Sequence, residues 1–590
     1  MSIASLYPSI NPSLLLDFAN SKVLDPRITF SRTTTATYYD GVTTAKAEEN
    51  LFTYSQEFDN AAWSKALVTI TSNATTAPDG TSTADLAVAN TTNGDHSVVQ
   101  SFTFPADTTL TISCYMKAAG YDYGVIRHYS AGNGDVWASF NLSTGAVDSN
   151  SSGVTASITS VGSSWYRCVM TKTYSSATSG NSYGIRVANA GGIGTPFAGN
   201  GTSGIYIWGA QLEQRSSATA YTATTSQAIT NYIPVLQTAA AGQARFDHNP
   251  TTGESLGLLI EEARTNVATY SEDFGNAAWS KGGSVVAAPV VTTNQVIAPN
   301  GTLTGDQVDL PAVSGTNAFS LIYFPFTASA LAYTGSFYLK GKNGGEQIWI
   351  NFTKNGVNYT QTLCTLTTSW QRFSLSSTLT AGGDNFQIGV DLRDSAQSAK
   401  SAQTFFIWGA QLEAGSFATS YIPTVASSVT RNADAASMTG TNFSSWFNNG
   451  EGTVYWDRRR TNTSANPEIT IYNSTLATAF YNGSIAYINT APSGTIAASS
   501  LANGVTQASI TTGTGLTGTG SVKTAYAYKA NDFAGSSNGQ SAGTDTSGIL
   551  QTGVDTLAFF TSGLNGFQHL GKFAYYPIRV TNAQLQALTV

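Results

Sequence analysis

Charge is what this sequence is shortest of. Asp, Glu, Lys and Arg make up 11% of its 590 residues, against about 25% in an average soluble protein. The balance is acidic, with a net charge of -7 and a pI near 5.2. No basic stripe exists to track a phosphate backbone, so nucleic acid is not expected as a partner. Cysteine is scarce as well: Cys114, Cys168 and Cys364 are too few for a disulfide framework or a zinc site. The four histidines, His96, His128, His248 and His569, form no helical i, i+4 pair, which removes the zinc-protease motif. No run reaches the roughly 18 apolar residues of a membrane span. The opening MSIASLYPSINPSLLLDF lacks a charged n-region and a long apolar core, so a soluble chain without an export signal is expected.

What the chain has is repetition, together with Gly, Ser, Thr and Asn. NLFTYSQEFDNAAWSK (Asn50–Lys65) returns as NVATYSEDFGNAAWSK (Asn266–Lys281). The blocks APDGT/APNGT, SCYMK/SFYLK and SSWYRC/TSWQRF follow in the same order. Both copies then reach WGAQLE, as IYIWGAQLEQRSSATAY (Ile205–Tyr221) and FFIWGAQLEAGSFATSY (Phe405–Tyr421). Trp279 follows Trp63 by 216 positions, and Trp408 follows Trp208 by 200. Loops therefore change length while blocks keep their order, as in a duplicated domain.

The blocks read as strands. SCYMK, SFYLK and YGVIRHY are short, rich in aromatic or β-branched residues and bounded by turn formers. FQIGVDL alternates Phe386, Ile388, Val390 and Leu392 with Gln387, Gly389 and Asp391, the period of a half-buried strand. No amphipathic helix of any length occurs between residues 60 and 430. The expected class is all-β, with tandem jelly-roll sandwiches followed by another antiparallel β domain. Cys114 and Cys168 align with Phe337 and Phe373, so the thiols read as core residues. A bond between the two stays open, because it depends on whether their strands are neighbours. Trp63, Trp165, Trp208, Trp279, Trp370 and Trp408 recur in both copies and read as anchors of the fold. Near the C-terminus, Thr581 is placed to cap a short turn that buries Leu585 and Leu588.

Catalytic motifs fail on context. GSSNG (Gly535–Gly539) fits a nucleophile elbow at Ser537, but no helix pattern follows it. GTGLTG (Gly513–Gly518) fits a phosphate loop by spacing alone. Glu48–Glu49 and Glu261–Glu262 are neighbours in sequence, and on a strand neighbours face opposite sides. No active site is expected. Binding has more support, since sugar rings need aromatic faces and planar hydrogen-bonding groups. Strand alternation sets Arg127 and Tyr129 on one face of the first copy, and Trp349 and Asn351 on one face of the second. Asp391 and Arg393 lie on the polar side of a neighbouring pattern. These six are the candidate glycan-binding residues; the competing reading is an ordinary solvated or subunit-contact face.

TYSEDFGNAAWSK, SWQRFSL and IWGAQLEAGSFATSYIPT together resemble the carbohydrate-binding-module-like domain of tailed-phage virion proteins. FSRTTTATYYDG and ARFDHNPTTGESLGLLIEEARTN resemble segments that precede it, and GKFAYYPIRVTNAQLQALT resembles the close of a concanavalin-like (laminin-G-like) domain. The resemblance implies an N-terminal arm over 1–49 with a role in virion attachment, a first jelly roll over 50–221, and a connector with a β-hairpin over 222–265. A second jelly roll over 266–432 and a concanavalin-like sandwich over 433–590 would follow. It implies a non-enzymatic fibre, spike or decoration protein on the virion surface, assembled in the host cytoplasm. Its partners would be capsid, portal or tail proteins, further copies of itself (a trimer in many such fibres) and host-surface polysaccharide. No cofactor is required, although similar modules hold a structural Ca²⁺. Here Glu57, Glu213, Glu272, Asp273 and Glu413 would be its ligands; the competing reading is carboxylates that cap turns. Two other classes remain open: a decoration protein that binds no sugar, and a glycan-degrading tailspike. The latter would need two carboxylates facing each other across a groove.

Overall fold

The computed structural model describes residues 8–130, 134–193, 196–315, 318–354, 357–380, 386–393, 398–460, 467–476, 483–490, 494–516, 520–559 and 567–590. The chain divides into two compact units. One comprises Ala45–Ile233 with Asn294–Ile297; the other comprises Met1–Thr44, Pro234–Thr293 and Ala298–Val590. Both are built from antiparallel strands, as the alternating sequence predicts.

The first unit holds a sandwich of two six-stranded sheets. One runs Ala146–Asn150, Gly134–Asn141, Tyr123–Ser130, Thr178–Ala188, His96–Phe104, Ser64–Ala66. The other runs Val154–Gly162, Trp165–Tyr174, Thr108–Ala119, Gly204–Glu213, Ala84–Ala89, Val68–Thr75. Ile126, Phe140, Ile185, Ile112, Met170 and Leu212 fill the space between them. Cys114 and Cys168 stand directly opposite each other there, both fully buried.

The second copy repeats this plan inside the larger unit. One sheet has the order Ser280–Ser284, Phe319–Phe326, Phe386–Asp391, Gln347–Lys354, Val357–Thr365. In the facing sheet Gly305–Leu310, Gln403–Ala414, Ala332–Gly341 and Gln371–Thr378 lie side by side. A glycine fixes the correspondence between the copies. Gly184 faces Arg127 and Gly389 faces Asn351. A Cβ at either would strike the next strand's backbone, 2.1 Å from Val98 O and 2.4 Å from Ile322 O. The register thus equates Arg127 with Asn351, His128 with Phe352, and Arg186 with Asp391. Phe337 and Phe373 face each other where the first copy has its two thiols.

The rest of the larger unit is a third sandwich, and it recruits more of the chain than residues 433–590. One sheet runs Arg245–His248, Ser255–Glu261, Phe567–Tyr576, Glu451–Arg460, Ser521–Lys529, Phe533–Ser537, Gly543–Asp545. Leu14–Asp17 adds to Phe567–Tyr576. The opposing sheet begins with Thr29–Ser31 beside Ala435–Thr439. Leu14–Asp17 and Thr29–Ser31 are therefore strands of this sandwich rather than parts of a separate arm, and the connector's hairpin is two more of them. The cause is apolar burial. Leu14, Leu16, Phe18, Leu258 and Ile260 enter one core with Trp456 and Phe573, and exposing them would cost about 1.5–3 kcal/mol each. Thr581 caps the helix Asn582–Leu588 through a capping box. Leu585 is buried against Ala525, Ala527 and Ala574, with Leu588 packed partly against the same cluster.

A buried ionic junction joins these elements. Arg32 reaches Asp434 at 2.9 Å. Arg245 bridges Asp434 at 2.6 Å and Glu261 at 2.7 Å, and all these side chains are fully buried. Glu261 also accepts the Ser420 N–H at 2.7 Å and its hydroxyl at 2.6 Å. Burial alone would raise the Glu261 carboxyl; Arg431 and Arg245 outweigh it and hold the group at about 2. Of the pairs Glu48–Glu49 and Glu261–Glu262, the second is thus divided between this junction and Arg264. In the other, Glu49 pairs with Lys46 at 2.8 Å.

Candidate functional site

WGAQLE is a latch, made the same way twice. Gly209 and Gly409 take φ of +60° and +61°, a conformation that favours glycine, where the strand bulges. The bulge turns the following Gln and Glu toward the returning tail. Gln211 and Gln411 accept the Thr222 and Ile422 N–H groups, both at 2.7 Å. Glu213 accepts the Thr219 hydroxyl at 2.5 Å, and Glu413 accepts that of Thr419 at 2.8 Å. Both carboxylates also take the backbone N–H of the same threonine. The Trp208 and Trp408 indoles donate to Thr83 and Thr304 at 3.0 and 3.1 Å. Asn50 and Asn266 each satisfy two carbonyls and two N–H groups of the latch. The repeated motif is therefore a polar fastening for the chain's exit from each sandwich.

That fastening accounts for two of the expected calcium ligands. Glu213 and Glu413 are fully buried and spent on Thr219 and Thr419; burial raises Glu213, with Thr219 opposing it. Glu272 accepts from the Tyr421 hydroxyl at 3.1 Å, Asp273 caps the Asn276 N–H at 3.1 Å, and Glu57 is exposed. Among the described residues no group of three or more His, Cys, Asp or Glu side chains could hold a metal ion. The opening turns carry a cation of their own. Lys65 Nζ donates to Asn60 O and Trp63 O at 2.6 and 2.9 Å. Lys281 Nζ donates to Gly275 O and Asn276 O, both at 3.1 Å.

The six sugar-face residues fall on equivalent outer faces of the two copies, and the faces differ. In the second copy Trp349 stands opposite Asp391, but the face is closed by its own side chains. Lys400 Nζ lies 5.0 Å from the Trp349 ring centre, and Trp349 is 7% exposed. Arg393 holds Asp391 at 2.5 Å and lies 4.6 Å from the Phe319 ring centre. Burial lifts the Asp391 carboxyl to about 6 against the pull of Arg393. Asn351 lies beside that carboxylate without a hydrogen bond of good geometry.

In the first copy the face is open. Tyr129 is 51% exposed, with the Arg127 guanidinium 5.6 Å from its ring centre. Arg127 is held by Asp95 at 2.9 Å and by Asp135. Arg186 shares Asp95. Trp137 stands directly opposite Arg127, half-buried on the same side. Aromatic surface, two guanidiniums and two part-exposed carboxylates thus meet on one sheet, with donors and acceptors side by side. Sequence reasoning found Arg127 and Tyr129 but missed Trp137, Asp95, Asp135 and Arg186. Trp137 was findable, because Val136, Ala138 and Phe140 alternate with it. Asp95 reaches the face from a loop and leaves no periodic trace.

Of the catalytic motifs, the one around Ser537 resolves as part of a strand. Ser537 is buried in a strand, hydrogen-bonded to Thr512 and Thr524, both at 2.9 Å. The Gly513–Gly518 motif runs beyond the described residues. A cavity of about 300 Å³ lined by Thr35, Thr37, Thr238, Pro423, Val429 and Arg431 includes none of the sugar-face residues.

No family model matches the chain, and no curated protein matches it. Among solved structures, the N-terminal tandem of CBM22 domains from Paenibacillus barcinonensis Xyn10C is similar at 14% identity. It covers 63% of this chain and 99% of its own, with a TM-score of 0.19.

Proposed function

We propose that this chain is a non-enzymatic glycan-binding protein of a phage virion surface, and that its sugar site is the outer face of the first sandwich. The observation that carries the site is the contrast between the copies. Tyr129, Arg127 and Trp137 are presented in the first, while Lys400 and Arg393 fill the same face of the second. A sugar ring would stack on Tyr129 or Trp137, with its hydroxyls bonded by Arg127, Asp95 and Asp135. The second sandwich would act as a spacer secured to the third by the ionic junction. The virion role is supported by the phage-like motifs, with a concanavalin-like third sandwich, capsid or tail proteins and further copies of the chain as neighbours. Weak sites repeated over a particle would gain by avidity. Glycan-array screening of the full chain, then titration calorimetry with the best oligosaccharide, tests the site. Tyr129→Ala and Trp137→Ala should each weaken binding about tenfold and leave the melting temperature unchanged. Absence of binding to any glycan would replace this function with a purely structural decoration role.

A further inference from the structure

The sheet of the first sandwich places two of the three cysteines face to face. Strands Thr108–Ala119 and Trp165–Tyr174 pair without a register break from Met116/Tyr166 to Thr108/Tyr174, and Cys114 meets Cys168 within that run. Both side chains point into the core, and both are free thiols. Directly opposed residues in such a ladder have Cβ atoms about 4.5–5.5 Å apart. A disulfide spans about 3.5–4.5 Å between Cβ atoms, so a small approach of two adjacent strands closes the bond. The second copy fills the equivalent pair with Phe337 and Phe373, so the sandwich itself does not demand thiols there. Cys364 belongs to the other unit, buried on a strand opposite Ile348.

We propose that Cys114 and Cys168 form a cross-strand disulfide when the first sandwich folds in an oxidising environment, stapling the two strands at the centre of one sheet. The oxidant is a small-molecule disulfide such as oxidised glutathione. One cysteine thiolate attacks it, releasing one reduced thiol and leaving a mixed disulfide. The second cysteine thiolate then displaces the other half as a second reduced thiol. Two protons and two electrons leave the cysteine pair, and the oxidant takes them up. Timing follows from burial. In the folded sandwich both thiols are inaccessible, and burial pushes Cys114 up to about 12 and raises Cys168 well above the usual thiol range, so neither supplies the attacking thiolate. The bond forms while the strands are still open, and a sandwich folded under reducing conditions keeps its thiols.

The test is to produce the full chain in an oxidising and in a reducing bacterial cytoplasm, denature both samples with an alkylating agent, and map peptides by mass. The oxidising sample should carry one alkyl group per chain, on Cys364, and a Cys114–Cys168 cross-linked peptide; the reducing sample should carry three alkyl groups. Cys114→Ser and Cys168→Ser should each abolish the cross-link. Three alkyl groups in folded protein from the oxidising cytoplasm, or a cross-link that includes Cys364, would overturn the proposal.

Discussion

His128 gives the sharpest test of how the first sandwich is packed. It is fully buried, stacked on Tyr183 with ring centres 4.0 Å apart and planes 7° from parallel. Tyr174 meets it edge-on at 4.8 Å. Among the described residues neither ring nitrogen has a hydrogen-bond partner. Burial drives the imidazole down from 6.5 to about 4, and the opposing charge of Asp135 recovers only part. The folded state therefore holds this histidine neutral where the unfolded chain would protonate it. Its contribution is complete above pH 6.5, falls between 6.5 and about 4, and is flat below. At about 1.4 kcal/mol per pH unit the loss is about 3 kcal/mol. Asp85 works in the opposite sense: burial raises it from 3.8 to about 6, so it adds stability as pH falls through that range. A wild-type pH curve alone would mix the two. The clean comparison is His128→Phe, because Phe352 occupies the same register position in the second copy. Urea titrations at about pH 7, 5.5 and 4, with pulse hydrogen exchange read on peptides from Tyr123–Ser130 and Thr178–Ala188, isolate this unit. The variant should gain about 3 kcal/mol on the wild type between the highest and lowest pH. Parallel curves would refute the account of a neutral, unpartnered imidazole in this core.

Two further perturbations probe the larger unit. Asp434→Ala leaves Arg32 without its carboxylate and Arg245 with only Glu261; a loss of about 3–5 kcal/mol is expected in chemical denaturation of the full chain. Asn266→Ala leaves Ala410 O, Ile422 O, Ala268 N and Leu412 N without their side-chain partner. It should cost about 3 kcal/mol and speed hydrogen exchange at Ala268 and Leu412, whose amides donate to Asn266.

The sandwiches were legible in the sequence because strand alternation and duplication are local and repeated. Phe386, Ile388 and Val390 announce a core face by their spacing alone, and all three are buried. The chain path was less legible. Leu14, Leu15 and Leu16 form a continuous apolar run with no alternation, and their partner Phe567–Tyr576 lies more than 550 positions away, a distance no local pattern reports. The site was half legible for a similar reason. Period two placed Trp349 on an outer face, yet its covering by Lys400 comes from a residue outside that strand, bridged to Val313. Glu213 and Glu413 resembled surface carboxylates because glutamate is rarely buried. Only the bulge at Gly209 and Gly409 explains how each turns inward to cap a threonine.

The most direct test of the central claim is hydrogen-exchange footprinting of the full chain with and without a saturating glycan ligand taken from the array. Protection confined to the strands Tyr123–Ser130 and Gly134–Asn141 and to the loop around Asp95 is the predicted result. Protection at Gln347–Lys354 with none at Tyr123–Ser130 would contradict it, and would place sugar on the face that Lys400 and Arg393 close.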